Sequence, residues 1–332
     1  MANPVIVNVV NLSYTPAETI ELVSRAGVKK GNMRPDKAFL SSVSAGCLLS
    51  FAGAASLSAN ASPWFSENAP GLIRMIGALV FPLGLVMIVL TGADLFTGTN
   101  MYTAVAALHR RLSVQKMILH WFICFWGNLA GSLFVMAIIF GYGGVFSASP
   151  YRETVVNYVT HKQVVPAFHQ IFLRGIGCNW LVCLACYLAM QAKDVNSKIV
   201  AMWWPIFAFV TLGLDHVVAN MFLIPMGIFL HTPGLSVGLY IWKGIIPAGL
   251  GNIVGGALFC GGYYWWMYIF MEPAIVVDGV PYEEAHASDQ GLGFAGLTGR
   301  RHVSDIESGA DNGKPTATAQ EMRGAEGTVI GG

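Results

Sequence analysis

Long charge-free runs, broken by short polar stretches, dominate residues 38–271. They cover Ala38 to Ser66, Met75 to Ala93, Met117 to Tyr151, Gly175 to Ala192, Ile199 to Leu214 and Gly244 to Met271. A helix needs about 20 apolar residues to cross the hydrocarbon core, so six passes are predicted, the third run including some loop. Two runs carry on past an ionisable residue. The second meets Asp94, continues through Leu95-Phe96-Thr97-Gly98-Thr99-Asn100 and resumes from Met101 to His109. The fifth meets Gly213-Leu214-Asp215-His216 and resumes from Val217 to Leu230. A charge in mid-span is costly, and non-helical backbone at that depth is tolerated only against protein or a wet cavity. Both runs are therefore predicted to be broken helices bordering a site.

Composition supports a lipid-facing exterior. Of 332 residues, 55% are hydrophobic and 11% charged, against about a quarter charged in soluble domains. The net charge of +1 gives no attraction to nucleic acid. No short apolar region near the start suggests a cleavable signal peptide. Cys183 and Cys186 form a C-x-x-C inside an apolar run, with no second pair and no upstream strand; this reads as small packing residues, with no metal or cofactor implied.

Lys and Arg set the orientation. Arg25, Lys29, Lys30, Arg34 and Lys37 precede the first pass; Arg110, Arg111 and Lys116 follow the second; Lys193 and Lys198 follow the fourth. The opposite loops hold only Arg152 and Lys162, so both termini are expected in the cytoplasm. Arg74, Arg174 and Lys243 then sit at the outer starts of even-numbered passes. They either snorkel to the interface or form a positive outer mouth that gathers anions. Asn60-Ala61-Ser62 is a glycosylation sequon close to the bilayer on that side.

Three regions are expected: residues 1–36 as a cytoplasmic segment with an interfacial amphipathic helix, 37–271 as the membrane domain, and 272–332 as a disordered cytoplasmic tail. Thr15-Pro16-Ala17-Glu18 is a capping box with proline at the first helical position. Lys29, Lys30 and Gly31 would close that helix.

The chain repeats itself. Gly92-Ala93-Asp94 matches Gly213-Leu214-Asp215, each followed by a short turn and then Asn-Met, at Asn100 and Asn220. Gly127-Asn128-Leu129-Ala130-Gly131 matches Gly251-Asn252-Ile253-Val254-Gly255. The offsets are 121 and 124 residues. Three passes per half is an odd number, so the halves must insert with opposite orientation, an inverted repeat that puts a solute path between discontinuous helices. Asn128, Asn179, Asn220 and Asn252 are read first as partners for the loose backbone of the breaks, with substrate contact as the alternative.

Four motifs, Ala93-Asp94-Leu95-Phe96-Thr97-Gly98, Cys178-Asn179-Trp180-Leu181-Val182-Cys183, Asp215-His216-Val217-Val218-Ala219-Asn220-Met221 and Gly251-Asn252-Ile253-Val254-Gly255, resemble the formate/nitrite transporter family over about residues 15–271. The resemblance implies an all-α, aquaporin-like protomer of six helices in a homopentamer, carrying small monovalent anions of weak acids. It implies that His216 is the central pore histidine and that Thr97 can hydrogen-bond it. Phe81, Phe209 and Ala219 would form the outer constriction, and Leu85, Leu95, Phe96 and Val182 the inner one. Many family members have Glu before the histidine. Asp215 there, with Asp94 and an extended polar tail, is similar to the eukaryotic nitrite branch, so the expected function is proton-coupled nitrite uptake at a plasma membrane, in nitrate assimilation. The alternative is a channel for formate, another short monocarboxylate or hydrosulfide.

A bare anion pays a large desolvation cost at the bilayer centre. The expected mechanism is passage as the neutral acid, with His216 orienting the substrate and relaying a proton. A membrane enzyme built on Asp215 and His216 is the rival of another class, but no G-x-S-x-G nucleophile motif occurs, nor the G-x-x-x-x-G-K-[ST] of ATP coupling.

Overall fold

The computed structural model describes residues 12–283. The disorder expected for the tail falls mostly on residues 284–332, outside the described residues. Helix α1 (Pro16–Gly31) starts at the expected capping box, Thr15 accepting from the Glu18 amide and Glu18 accepting from the Thr15 amide. The membrane domain follows as α2 (Pro35–Ala59), α3 (Pro70–Thr91), α4 (Phe96–Leu108), α5 (Val114–Tyr142), α6 (Phe168–Gln191), α7 (Val195–Leu212), α8 (Val217–Phe229) and α9 (Val237–Tyr268). Six of these are long and apolar enough to cross a membrane, and the chain is a multi-pass helical membrane protein.

Several boundaries differ from those read off the apolar runs. The first pass ends at Ala59, not Ser66, because Pro63 opens a separate short helix, Pro63–Asn68. The fourth begins at Phe168 and the sixth at Val237, so Arg174 and Lys243 lie inside helices and not at their starts. Asn60 of the sequon lines an outer cavity and packs against Gly77. That is a poor seat for a bulky glycan.

The two breaks share one punctuation. Gly92 (φ 74°) ends α3 and Gly213 (φ 72°) ends α7, both in the left-handed region that a Cβ disfavours. An extended residue then opens each half-helix: Leu95 before α4 and His216 before α8. Each half of the chain thus holds one intact pass, one broken pass and a second intact pass.

Close helix approach supports this frame. A Cβ on Gly131 would overlap the Val43 carbonyl between α5 and α2, and one on Gly255 the Ile176 carbonyl between α9 and α6. Small residues are what allow backbones to meet this closely in membranes. Gly255→Leu is expected to leave no monodisperse protein in detergent, whereas Gly262→Ala, whose added Cβ meets its nearest atom at 3.4 Å, is expected to purify normally. Size-exclusion profiles of the two variants check this.

Helix α1 does not rest its apolar face on lipid. Ile20 and Val23 are buried and Gly27 abuts the Tyr102 carbonyl of α4. Its buried Glu21 pairs with Arg25 and Arg111 at 2.8 Å each, which fixes the helix to the protein. Residues 272–282 also pack instead of trailing away. Val277 is buried in a tight turn, Arg25 donates to the Val280 carbonyl, and Asp278 accepts from Tyr14 at 2.6 Å. That hydrogen bond pushes the Tyr14 hydroxyl up to about 12.

Candidate functional site

The breaks are held by side chains that satisfy the free backbone. Asn128 accepts from the Phe96 amide (2.8 Å) and donates to the carbonyls of Ser42 (2.7 Å) and Asp94 (3.0 Å). Asn252 repeats the scheme, accepting from the Val217 amide (2.8 Å) and donating to the carbonyls of Gly175 (2.8 Å) and Asp215 (2.9 Å). A side-chain amide is the one uncharged group able to serve one donor and two acceptors this way. Asn179 joins the halves, donating to the carbonyls of Thr97 (3.0 Å) and Asn252 (2.7 Å). Cys183 gives its thiol hydrogen to the same Thr97 carbonyl at 3.3 Å.

The carboxylates are paired as well. Asp94 Oδ1 receives Lys30 Nζ (2.9 Å) and Thr99 Oγ1 (2.8 Å). Asp215 Oδ1 receives Lys162 Nζ (3.1 Å) and Asn220 Nδ2 (3.3 Å). Thr99, not Asn100, is therefore the counterpart of Asn220: both stand five residues after their Asp. Asn100 is buried without a side-chain partner among the described residues.

The two breaks meet at His216, which is 3% exposed. Its Nδ1 accepts the Ala219 amide at 3.0 Å, capping α8, and its Nε2 lies 3.0 Å from Thr97 Oγ1 at the start of α4. An accepting Nδ1 cannot carry a proton, so the ring in this arrangement is neutral, with its hydrogen on Nε2 directed at Thr97. Thr97 Oγ1 then accepts from the ring, and its own hydroxyl hydrogen has no acceptor among the described residues.

A cavity of about 700 Å³ leads to His216 from the outer side, the side so named from the Lys and Arg distribution. Arg74, Arg174 and Lys162 line it, as do Phe81, Phe209 and Ala219. Phe81 and Phe209 meet edge to face at 5.7 Å, and Phe209 stacks on the His216 ring at 5.9 Å. Neither Arg74 nor Arg174 has a side-chain ion pair among the described residues. Lys243 stands apart: it donates to the Val164 carbonyl at 2.7 Å and does not border the cavity. Leu85, Leu95, Phe96 and Val182 are all buried, with the Phe96 ring turned against Phe125 of α5 at 5.4 Å.

Lys30 and Lys162, which the sequence presents only as orienting and loop charges, also belong to the breaks, as does His120. Lys162 is tied to the carbonyls of Gly213 (2.9 Å) and Leu214 (2.6 Å) besides Asp215, so it pins the outer break. The available signal was the repeat itself: a buried Asp in each half requires a cation in each half.

Together these features define a membrane transport protein whose outer cavity ends at two half-helix starts. The chain belongs to the formate/nitrite transporter family, whose profile matches residues 17–266. It is 35% identical over 268 residues to a probable formate transporter of Methanothermobacter thermautotrophicus, covering 77% of this chain and 97% of that one. It is 34% identical over 273 residues to the formate channel FocA of Haemophilus influenzae, covering 76% and 93%. Among solved structures, an FNT family ion channel aligns with TM-score 0.69 at 26% identity over 75% of this chain and 98% of that one. A pentameric formate channel with formate bound aligns with TM-score 0.63 at 27% identity over 71% and 98%. These relatives are transporters and channels, not enzymes, which removes the hydrolase alternative.

Proposed function

We propose that this protein carries formate across a plasma membrane as a homopentamer with one path per protomer, the anion crossing together with a proton. One observation carries the reading: a cavity lined by cations and by Phe81 and Phe209 reaches His216, whose far nitrogen meets Thr97. Formate is preferred over nitrite because relatives with similar cores are named for formate. Nitrite, expected from Asp215 and the polar tail, is supported by the family's name for both anions but by neither of these two relatives.

Arg74 and Arg174 concentrate the anion at the mouth. Beyond the phenylalanines a bare charge pays the desolvation penalty, and the neutral acid avoids most of it. The Thr97 hydroxyl donates to the substrate oxygen while His216 holds Thr97 in place. Because protonating His216 requires Nδ1 to release the Ala219 amide, the proton travels on the substrate.

The test is labelled formate uptake by cells expressing the full chain, with unlabelled nitrite as competitor. Uptake is expected to rise as external pH falls, since more of the acid is neutral, and to collapse with a protonophore. Nitrite competing more strongly than formate itself would transfer the assignment to nitrite. Uptake indifferent to pH and protonophore would remove the coupling. The mouth makes a further prediction: Arg74→Ala with Arg174→Ala raises the formate concentration for half-maximal uptake about three- to tenfold, and added salt reproduces part of that rise in the parent protein.

A further inference from the structure

The two carboxylates share one scheme of partners. Lys30 and Lys162 occupy their Oδ1 atoms, Thr99 and Asn220 add a second bond there, and Asn128 and Asn252 hold their carbonyls. Neither Oδ2 has a hydrogen-bond partner among the described residues. They differ in what stands beside them: Asp94 Oδ2 has His120 Nε2 at 2.8 Å, an ion-pair distance once the ring is charged, and no such pairing is found at Asp215 Oδ2 among the described residues. By the offset that relates Asn128 to Asn252, the residue answering His120 in the second half is Gly244. The histidine is thus an addition to the inner cluster alone.

The lysines differ too. Lys162 Nζ has three acceptors and is fixed. Lys30 Nζ has one, Asp94 Oδ1, and otherwise lies 5.8 Å from the Tyr102 ring centroid. Its side chain is 20% exposed, against 3% for His120.

We propose that His120 is a positioning residue that sets how tightly Asp94 holds Lys30, and so makes the affinity of this inner cluster for the anion depend on the pH of the inner side. With a neutral imidazole, the whole charge of Asp94 is available to Lys30 and the ion pair is closed. With an imidazolium on Oδ2, that charge is already compensated, and the Lys30 ammonium is released to bind an incoming anion. The other ionisable groups around the pair are Tyr102 on α4 and Cys124 on α5, whose thiol is engaged with the Asp94 carbonyl at 3.2 Å. The polar neighbour Thr99 lies 3.5 Å from Nε2. Among these groups only Lys30 opposes the positive charge on the ring. The sign follows: acid on the inner side frees Lys30 for the anion and speeds exit. The proposal rests on the anion-transport reading above and on the inner side being cytosolic.

The test is efflux of labelled formate from oocytes expressing the full chain, with cytosolic pH clamped by injected buffer between about 6.0 and 7.5. Parent, His120→Gln and His120→Asn chains are compared, and the readout is the parent-to-variant ratio of efflux at each pH. The weak-acid driving force is common to all chains and cancels. The ratio is expected to climb at least threefold as cytosolic pH falls, while the dependence on external pH stays parallel. A ratio constant with cytosolic pH overturns the proposal. If both variants fail to reach the membrane, the formate-induced rise in Tm of the purified parent protein decides: a rise larger at pH 6.0 than at pH 7.5 supports the release of Lys30, and an equal or smaller one refutes it. Absence of formate efflux from the parent chain would instead overturn the transport reading, an outcome distinct from a flat ratio.

Discussion

His216→Ala is expected to lower formate flux about ten- to hundredfold while the protein still reaches the membrane. The ring contributes the α8 cap through Nδ1 and the orientation of Thr97 through Nε2. Losing the hydrogen bonds that greet a desolvated substrate costs roughly 1.5–3 kcal/mol at the barrier, and each ~1.4 kcal/mol there is tenfold in rate. Thr97→Val, which keeps the shape and removes the hydroxyl, is expected to lower flux in the same direction. Thr97→Ser is expected to recover most of it. Flux normalised to surface protein checks the series. His216→Ala transporting like the parent chain would detach the site from the path.

The second large effect concerns folding. Asn252→Ala is expected to leave little or no folded protein in the membrane. The substitution strands the Val217 amide and the carbonyls of Gly175 and Asp215, all buried. Each stranded group costs roughly 1–3 kcal/mol, and the sum is comparable with the ~5–15 kcal/mol that holds a typical protein folded. Asn252→Asp keeps the acceptor for Val217, loses both donors and sets a carboxylate among carbonyls, so it fares no better. Asn128→Ala is expected to behave alike through Phe96, Ser42 and Asp94. Fluorescence size-exclusion of tagged chains reads this out, with the His216 variants as the folded comparison.

The breaks were legible because their causes are local. A Gly-x-Asp that interrupts an apolar run, and recurs in the second half, is visible without any knowledge of packing. The Gly-Asn-x-x-Gly pairs were legible too, since close approach and backbone satisfaction both demand particular residue types. Helix ends were less so. Asn60, Ala61 and Ser62 carry no charge and so extend the run past Ala59, and only the Pro63 restart reveals the stop. The match of Asn100 with Asn220 failed because residue type was allowed to override the count from the Asp. Thr99 does the equivalent work with a different chemistry.

What lay beyond the sequence was three-dimensional pairing. Lys30 comes from a helix outside the membrane runs and reads as one more orienting charge, yet its Nζ reaches Asp94 across 64 residues. Lys162 reads as a loop charge and turns out to pin the outer break. His120 sits in an apolar run with no counterpart in the repeat, so neither motif nor symmetry points to it. Lys243 shows the converse. Its position suggested the mouth, but a longer α9 carries it to the Val164 carbonyl.

The account turns on the anion crossing in neutral form. The decisive measurement is formate entry into proteoliposomes holding an internal pH dye, with membrane potential set by a potassium gradient and valinomycin, and with protein-free vesicles subtracted for bilayer leak. Protein-dependent internal acidification equal to the formate taken up, at a rate unchanged by the imposed potential, is the predicted result. Formate entry that follows the potential and leaves internal pH unmoved would contradict it.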